Sequence, residues 1–325
     1  MIPTHAAMEA RFRIAPPPCF FIKGTVAYSA LYTPLTLTWN IRSKSSAEQF
    51  SRLPTCAIPQ NHNVWHYHDE IEFILILEGK GTFFIGDCIT PFSAGDCVLI
   101  GSNVPHYWLF DEEYLLPESD TRANVVVAHF LRDFVGQVFW SLPELSPIRR
   151  LIEYSKDGIM CRCSDKNLEN SFLRLMATSG LERILALLHT LHIFDQHPDK
   201  EKLVSADYNI QYHDDDMNRM NLILGFINDS YKVHVHLDEV ADLSGMTKNS
   251  FCRFFKQKTG RTLTDFVTKL RISNAQKILG NTHGSIKEAC YESGFNNLVS
   301  FHKAFKSITG NTPKAYREMF WKQSL

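Results

Sequence analysis

The chain lacks several features that would define its class at once. Its eight cysteines are scattered, and none of their spacings is typical of a disulfide framework or a zinc ribbon. No apolar run approaches the roughly 18 residues that a membrane helix needs. The apolar stretch near the N-terminus is interrupted by Lys23 and Gly24, which makes it a poor signal peptide. These absences favour a cytoplasmic protein with reduced thiols and no membrane partner.

The chain also has almost no net charge, but its charges are unevenly distributed. Residues 219–325 hold 16 Lys and Arg against 8 Asp and Glu, a net charge of +8. The remainder carries 18 basic and 27 acidic residues, a net charge of −9. A basic end on an acidic body indicates a polyanionic partner for that end alone. The length of 325 residues suits more than one domain.

The first half of the chain predicts strands followed by helices. Short segments rich in β-branched and aromatic residues alternate with glycines, which predicts a small all-β barrel at residues 53–130. In residues 131–195 apolar residues recur at helical spacing, and Gly180 divides the longer stretch into two helices. These helices would cap the barrel, form a dimer interface, or both. Residues 1–52 form an extension without assigned structure, and the polar residues 196–218 are predicted as a linker.

One short stretch, "WHYHDEIEF", contains the side chains for a metal or ligand site. His66 and His68 are one residue apart, and Glu72 follows four residues after the second histidine. Imidazoles with a carboxylate form a ligand set for a divalent ion of Fe, Mn, Ni or Zn. The same groups would also suit direct hydrogen bonds to a polar effector, or packing with no ligand. The neighbouring rings of Trp65 and Trp108 suit a sugar or an aromatic acid.

The basic C-terminal part contains an internal repeat. "SFCRFFKQKTGRT", from Ser250, and "SFHKAFKSITGNT", from Ser300, agree at seven of thirteen positions with an offset of 50. Just upstream the offset is 49, so the second copy has one extra residue in its turn. Each copy predicts a helix, a glycine turn and a second helix, which is the outline of a helix-turn-helix. We expect its phenylalanines to be core residues: Phe251, Phe254, Phe255, Phe301 and Phe305.

The segment between the two copies predicts a connecting helix. Residues Leu263 to Leu279 read as one continuous helix of about 25 Å. Two recognition helices joined by such a rod would enter successive major grooves on one face of DNA.

The segments "RISNAQKIL", "SFCRFFKQKTG" and "GFNNLVSFHKAFKSITGNTPKAYRE" carry residues that recur in the AraC/XylS family of transcription regulators. Residues 219–325 therefore resemble the DNA-binding domain of that family, whose members often carry an N-terminal cupin barrel that senses a small molecule. "HxHxxxExxxxxxG", from His66 to Gly79, is similar to the first cupin motif. "GDCVLIGSNVPH" keeps part of the second motif, and the resemblance adds its His106 to the candidate metal ligands and effector contacts.

Helix geometry places one set of side chains on the exposed face of each recognition helix. The candidate DNA contacts are Lys248, Asn249, Cys252, Arg253 and Lys256 in the first copy, and Asn297, Ser300, His302, Lys303 and Lys306 in the second. Arg253 suits guanine and Asn249 suits adenine, whereas the lysines favour phosphate. Leu298 and Val299 replace residues that are small and polar in the family. The recognition helix of the second copy is therefore predicted to distinguish less strongly between bases.

Together these features predict a multidomain fold with an all-β cupin barrel, dimerisation helices and an all-α double helix-turn-helix domain. We predict a homodimeric transcription regulator that binds double-stranded promoter DNA and responds to a small polar effector. The effector contacts are His66, His68, Glu72, His106, Trp65 and Trp108. The family resemblance implies an activator that works with RNA polymerase. No cofactor is required in this interpretation, and a divalent metal in the barrel remains open.

Two alternatives to this interpretation stay open. The first is a metal-dependent cupin enzyme fused to a DNA-binding module, although nothing in the sequence identifies a reaction. The second is a constitutive DNA binder whose barrel only dimerises.

Overall fold

The structure is a computed structural model, and it describes residues 50–52, 64–114, 121–162, 166–208, 215–280 and 285–323. The predicted N-terminal extension lies outside these residues except for its last three.

The N-terminal part is built from two antiparallel sheets. In the described part of the chain the larger sheet contains β1 (Phe50–Arg52), β2 (Ile71–Glu78), β5 (Asp96–Ile100), β7 (Asn124–Phe130), β8 (Ile159–Arg162) and β9 (Lys200–Lys202). Its strand order is β1-β7-β2-β5-β8-β9. The smaller sheet contains β3 (Gly81–Ile85), β4 (Cys88–Phe92) and β6 (His106–Phe110), in the order β4-β3-β6. The predicted strand-rich N-terminal fold is confirmed.

β2 lies at the centre of the larger sheet and is buried on both faces. Phe73 and Leu75 enter one hydrophobic core, whereas Ile74 and Ile76 enter a second core shared with the smaller sheet. Successive residues of a strand point to opposite faces, so Glu72 lies on the same interior face as Ile74. The continuous apolar run of β2 therefore results from burial on both sides.

Helices cover the outer face of the larger sheet. They are α1 (Gln137–Trp140), α2 (Ser146–Tyr154), α3 (Lys166–Ala177) and α4 (Gly180–Gln196). The ring of Phe73 contacts Phe172 of α3 and Phe194 of α4, with ring centroids 4.5 and 5.1 Å apart. Gly180 has a φ of +57° at the start of α4, and the predicted division into two helices at this glycine is confirmed.

The larger sheet continues beyond residue 130, where the predicted barrel ends. β8 pairs with β5 and lies between α2 and α3 in sequence. β9 pairs with β8 and lies within residues 196–218, the stretch predicted as a linker. These strands are four and three residues long. They are too short for an alternating pattern to distinguish them from helix or loop.

The C-terminal part is helical and contains two helix-turn-helix motifs, as predicted. Its helices are α5 (Asp215–Ser230), α6 (Leu237–Leu243), α7 (Lys248–Thr259), α8 (Leu263–Gly280), α9 (Ile286–Glu292), α10 (Leu298–Thr309) and α11 (Pro313–Gln323). Residues 244–247 join α6 to α7, and residues 293–297 join α9 to α10, so the extra residue is in the second turn. Gly245 and Gly294 have φ of +67° and +88°, which glycine adopts without strain.

Most of the predicted phenylalanine core is confirmed. Full burial is found for Phe251, Phe255, Phe301 and Phe305. The expectation for Phe254 is wrong, because its side chain is only partly buried and lies 5.6 Å from the guanidinium of Arg219. Phe254 precedes Phe255 by about 100° of helix rotation, which places it at the edge of the buried stripe.

The first helix-turn-helix shares its hydrophobic core with the smaller sheet. Phe84 and Tyr107, on the outer face of that sheet, belong to one cluster with residues of α5, α7 and α8. The rings of Phe84 and Phe266 stack with centroids 5.4 Å apart. The second helix-turn-helix packs around a separate cluster that includes Phe301 and Phe305. The first copy of the repeat therefore packs against the smaller sheet, whereas the second copy packs around its own core.

Candidate effector site and nucleic-acid interface

The two cupin-like stretches bring four side chains together inside the strand-rich domain. The ligating atoms of His66, His68, Glu72 and His106 all lie within 4.8 Å of one another. A backbone bridge aligns His66 with His106, and each amide donates to the other's carbonyl at 3.1 and 2.9 Å. Glu72 enters from the interior face of β2 and is 1% exposed. The alternation of side chains along β2 and this bridge therefore bring the four predicted ligands together at one point.

Backbone carbonyls orient the imidazole rings of the cluster. Each of the three histidines has its Nδ1 within hydrogen-bond distance of a carbonyl oxygen two residues away: His66 with Val64 at 2.7 Å, His68 with Glu70 at 3.0 Å, and His106 with Val104 at 2.8 Å. A carbonyl only accepts, so Nδ1 must carry the proton and donate it. In the neutral ring the Nε2 lone pair then faces the cluster, which is the arrangement typical of histidines that ligate metals.

Two of these Nε2 atoms are buried without a hydrogen-bond partner among the described residues. They belong to His68 and His106. Their distances to Oε2 of Glu72 are 3.6 and 3.4 Å. Neutral Nε2 atoms and carboxylate oxygens are all acceptors, so their convergence is unfavourable unless a proton or a cation lies between them. The residues therefore fit a divalent metal ion.

The protonation states of Glu72 and His66 agree with a metal site, whereas that of His68 does not. Burial raises the pKa of Glu72, but the nearby imidazoles outweigh burial and hold that pKa well below its usual range. Burial lowers the pKa of His66 to about 3, so this ring is neutral. Burial also lowers the pKa of His68, but its contact with Glu72 outweighs burial and raises that pKa overall. A proton on His68 therefore competes with a metal ion for the carboxylate.

The structure adds a histidine that the sequence analysis missed. His129 lies on β7 directly opposite Glu72, and its Nε2 is 3.0 Å from Oε2 of Glu72. Val125 and Val127 point into the interior core, so the alternation of "NVVVAHF" also places His129 there. That alternation could have identified His129 as an interior residue from the sequence alone. The pairing with Glu72 required the register between the two strands.

The two tryptophans predicted to contact the effector have different positions. Trp108 is fully buried inside the domain, and its Nε1 donates to Oε1 of Glu72 at 3.3 Å. The expectation for Trp65 is wrong, because its side chain packs in the cluster shared with the first helix-turn-helix. His66 points inward, so the preceding residue of an extended segment points outward.

The predicted DNA contacts form two exposed surfaces. All five residues selected on α7 are exposed: Lys248, Asn249, Cys252, Arg253 and Lys256. The five residues selected for the second copy are also exposed: Asn297, Ser300, His302, Lys303 and Lys306. A surface concavity of about 580 Å³ beside α10 is lined by His302, Lys303, Lys306, Ser307 and Thr312.

Two of these residues also have structural contacts. Nζ of Lys248 lies 2.6 Å from a carboxylate oxygen of Asp238, so this lysine is already paired with an acid of α6. Asn297 caps α10, because its side-chain oxygen accepts from the amide of Ser300 at 2.8 Å. Thr247 caps α7 in the equivalent way. The caps define where each recognition helix begins.

The described part of the chain contains no helix that is long and apolar enough to cross a membrane. Two domain families match the sequence: the helix-turn-helix domain over residues 240–319, and the cupin domain over residues 56–113.

The chain is similar to several known proteins. An uncharacterized HTH-type transcriptional regulator of Bacillus subtilis, YdeC, is 24% identical over 81% of this chain and 89% of its own length. The transcriptional activator RhaS of Escherichia coli is 29% identical over 31% of this chain, which is 36% of the RhaS length. ToxT of Vibrio cholerae, a solved structure, covers 79% of this chain and 92% of its own at 16% identity, with a TM-score of only 0.34.

These relatives give no support to the alternative of a metal-dependent enzyme. The cupin match, the paired helix-turn-helix motifs and the regulator relatives agree with the resemblance found in the sequence. These findings are consistent with an AraC-type transcription regulator in which a cupin domain, residues 56–113, precedes a helix-turn-helix domain, residues 240–319.

Proposed function

We propose that this regulator binds DNA through α7 and α10 and senses a divalent metal ion in its cupin domain. His66, His68, Glu72 and His106 would hold the metal, and His129 and Trp108 would orient the Glu72 carboxylate. When bound, the metal would supply a positive charge to which an effector with an oxygen donor binds. The observation that carries this proposal is the pair of buried, partnerless Nε2 atoms facing Glu72.

The metal-binding segments are connected to the first helix-turn-helix through α5. Trp65 precedes His66, and its amide and carbonyl both bond to the side chain of Asn221, at 2.7 and 3.1 Å. Tyr107 follows His106, and its hydroxyl accepts from Asn228 at 2.6 Å. The two asparagines are seven residues apart, so they lie on one face of α5. A shift of either metal-binding segment would therefore move α5.

Helix α5 belongs to the same hydrophobic cluster as the first recognition helix. Ile223 and Ile227 of α5 pack in that cluster with Phe251 and Phe255 of α7. Well-packed cores transmit displacements because they have few voids. We infer that metal and effector binding changes the relative stability of two arrangements of α5 and α7, which differ in DNA affinity.

A homodimer is the proposed assembly, through the exposed apolar face of α4. Leu181, Ile184 and Leu185 are 69%, 36% and 48% exposed, and they recur at helical spacing. Their neighbours Ala186 and Leu187 pack on the sheet, so α4 is apolar on two sides. Pairing with the same face of a second copy would cover these residues and place two DNA-binding domains on one promoter. By analogy with RhaS, a transcriptional activator, we infer that this chain is also an activator. An activator would work with RNA polymerase.

The metal proposal is tested on the full-length chain with divalent metals as the probe. We expect one Fe, Mn, Ni or Zn ion per chain in protein purified without chelator or affinity metal. Glu72→Gln should lose stoichiometric metal, whereas Glu78→Gln, on the exposed end of the same strand, should retain it. DNA affinity for the chain's own upstream region should change on adding metal to the parent and to Glu78→Gln, but not to Glu72→Gln.

Other outcomes would identify the alternatives. Absence of metal, together with a small molecule that raises the thermal midpoint, would support a metal-free effector site. No response to metals or small molecules would support a constitutive DNA binder. Turnover of a substrate that is lost in His68→Ala would support an enzyme.

A further inference from the structure

The second recognition helix presents apolar side chains where a DNA-binding surface is usually polar. Val299, in the first turn of α10, is 79% exposed, and its neighbour Leu298 is 37% exposed. The hydrophobic core of this motif includes Phe301 and Phe305 but neither Val299 nor Leu298. Single exposed apolar residues are common on protein surfaces, so exposure alone would not indicate a function.

The internal repeat assigns Val299 a specific place on the helix. With the offset of 50, Val299 corresponds to Asn249 and Lys303 corresponds to Arg253. Both recognition helices begin directly after a capping residue, Thr247 in one and Asn297 in the other. The equivalent residues therefore point in equivalent directions. Val299 occupies the position from which Asn249 is predicted to reach a base edge.

The N-terminal residues of a recognition helix are those that contact base edges in the major groove. A valine side chain has no hydrogen-bond donor or acceptor, so it cannot distinguish the polar patterns of the bases. Thymine differs from the other bases of DNA by presenting a methyl group in that groove. An isopropyl group against this methyl would remove apolar surface of both groups from water.

We propose that Val299 recognises a thymine 5-methyl group in the half of the operator bound by α10. This inference rests on the proposed binding of α10 to DNA. The two halves of the operator are then read by different chemistry. Asn249 and Arg253 of α7 use hydrogen bonds, whereas α10 uses an apolar contact at the corresponding position, flanked by Lys303 and Lys306.

The test begins with selection of duplexes from a random library by the full-length protein. Each thymine of the selected site is then replaced by deoxyuridine, which removes only the methyl group. For the parent we expect one thymine whose replacement weakens binding about fourfold, the effect of burying one carbon group. Val299→Ser should bind the thymine duplex about fourfold or more weakly and show no further loss with deoxyuridine.

Val233→Ser is a matched control, because Val233 is also 79% exposed but lies between α5 and α6. It should keep the affinity of the parent and its sensitivity to deoxyuridine. Equal thermal midpoints of the three proteins would show that both variants fold.

Three outcomes would overturn the inference, and the last of them would also overturn the proposed function. A selected site with no methyl-sensitive thymine, or equal deoxyuridine losses in the parent and Val299→Ser, would reject the role of Val299 alone. If the selection enriches no sequence, the proposed DNA-binding function fails as well.

Discussion

Asp87, in the turn between β3 and β4, binds Arg261, which lies just after the first recognition helix. Arg261 donates from Nε to the Asp87 carbonyl at 2.6 Å and from Nη2 to its carboxylate at 3.0 Å. The same carboxylate accepts from the amide and the hydroxyl of Ser205, at 3.0 and 2.9 Å. Asp87 is largely buried. One carboxylate therefore links the smaller sheet, the segment after β9 and the end of α7.

Replacing Asp87 by alanine should destabilise the protein. Nη2 of Arg261 and the amide and hydroxyl of Ser205 would lose the carboxylate in a partly buried environment, which costs about 2–4 kcal/mol. The bond from Nε of Arg261 to the backbone carbonyl of residue 87 would remain. Urea denaturation of the full-length protein measures this loss. Asp133→Ala is the control, because Asp133 is exposed, and it should leave the midpoint unchanged. Equal midpoints for the two variants would show that the link contributes nothing.

Replacing both Asn221 and Asn228 by alanine should reduce the effect of metal on DNA affinity without weakening metal binding. These side chains contact Trp65 and Tyr107, not the candidate ligands, so metal affinity should stay within about threefold of the parent. The change in DNA affinity on adding metal should shrink or disappear. Fluorescence anisotropy with labelled upstream DNA, with and without metal, measures the DNA response, and calorimetric titration of the protein with metal measures metal affinity.

Asn218→Ala is the control for this pair, since Asn218 is an exposed asparagine of the same helix. It should keep the full response. An unchanged response in the double variant would exclude α5 as the connection.

The stability of the protein should depend on pH through Asp96. Burial is the main reason that the pKa of this carboxyl is raised to about 6. The unfolded value is about 3.9. Between these values the folded state holds a proton that the unfolded state has lost, so stability falls as pH rises from about 4 to 6. Above pH 6 the cost of the buried charge stays constant.

Asp96→Asn should therefore be more stable than the parent at pH 7.5. The gain should be up to about 3 kcal/mol, because the pKa of Asp96 is about 2 higher in the folded state than in the unfolded state. The asparagine oxygen can still accept from the Ser93 amide, which lies 2.8 Å from the aspartate. Below about pH 4 the two proteins should have equal stability. Denaturation curves across this range measure the difference, and a gain that is independent of pH would contradict the assignment to Asp96.

Leu185→Asp should disrupt the proposed dimer without unfolding the chain. Leu185 is 48% exposed in one copy, so a charge there is tolerated by the fold but not by an apolar interface. Sedimentation velocity should show half the mass of the parent. Leu222→Asp is the matched control, because Leu222 is an exposed leucine of α5, and it should leave the mass unchanged. A monomeric parent would exclude the dimer itself.

Local patterns in the sequence were sufficient for part of the fold and the site. The helix-turn-helix pairs were predicted because the repeat, the glycine of each turn and the buried phenylalanine positions are all encoded within one continuous stretch per copy, residues 237–262 and 286–312. His66, His68 and Glu72 were identified because they lie within seven residues of one another. β8 and β9 were missed, since so few residues do not establish a period.

The sequence by itself determined the two kinds of domain and the candidate ligands His66, His68 and Glu72, because spacing along a helix or strand sets which residues share a face. The fourth candidate, His106, came from the resemblance to the second cupin motif. Only the tertiary structure decided that His129 meets Glu72 from 57 positions away, since that contact depends on strand register. It also decided that Trp65 faces the first helix-turn-helix and that Asp87 binds Arg261. Such contacts depend on how separate elements pack, and no local pattern records that packing.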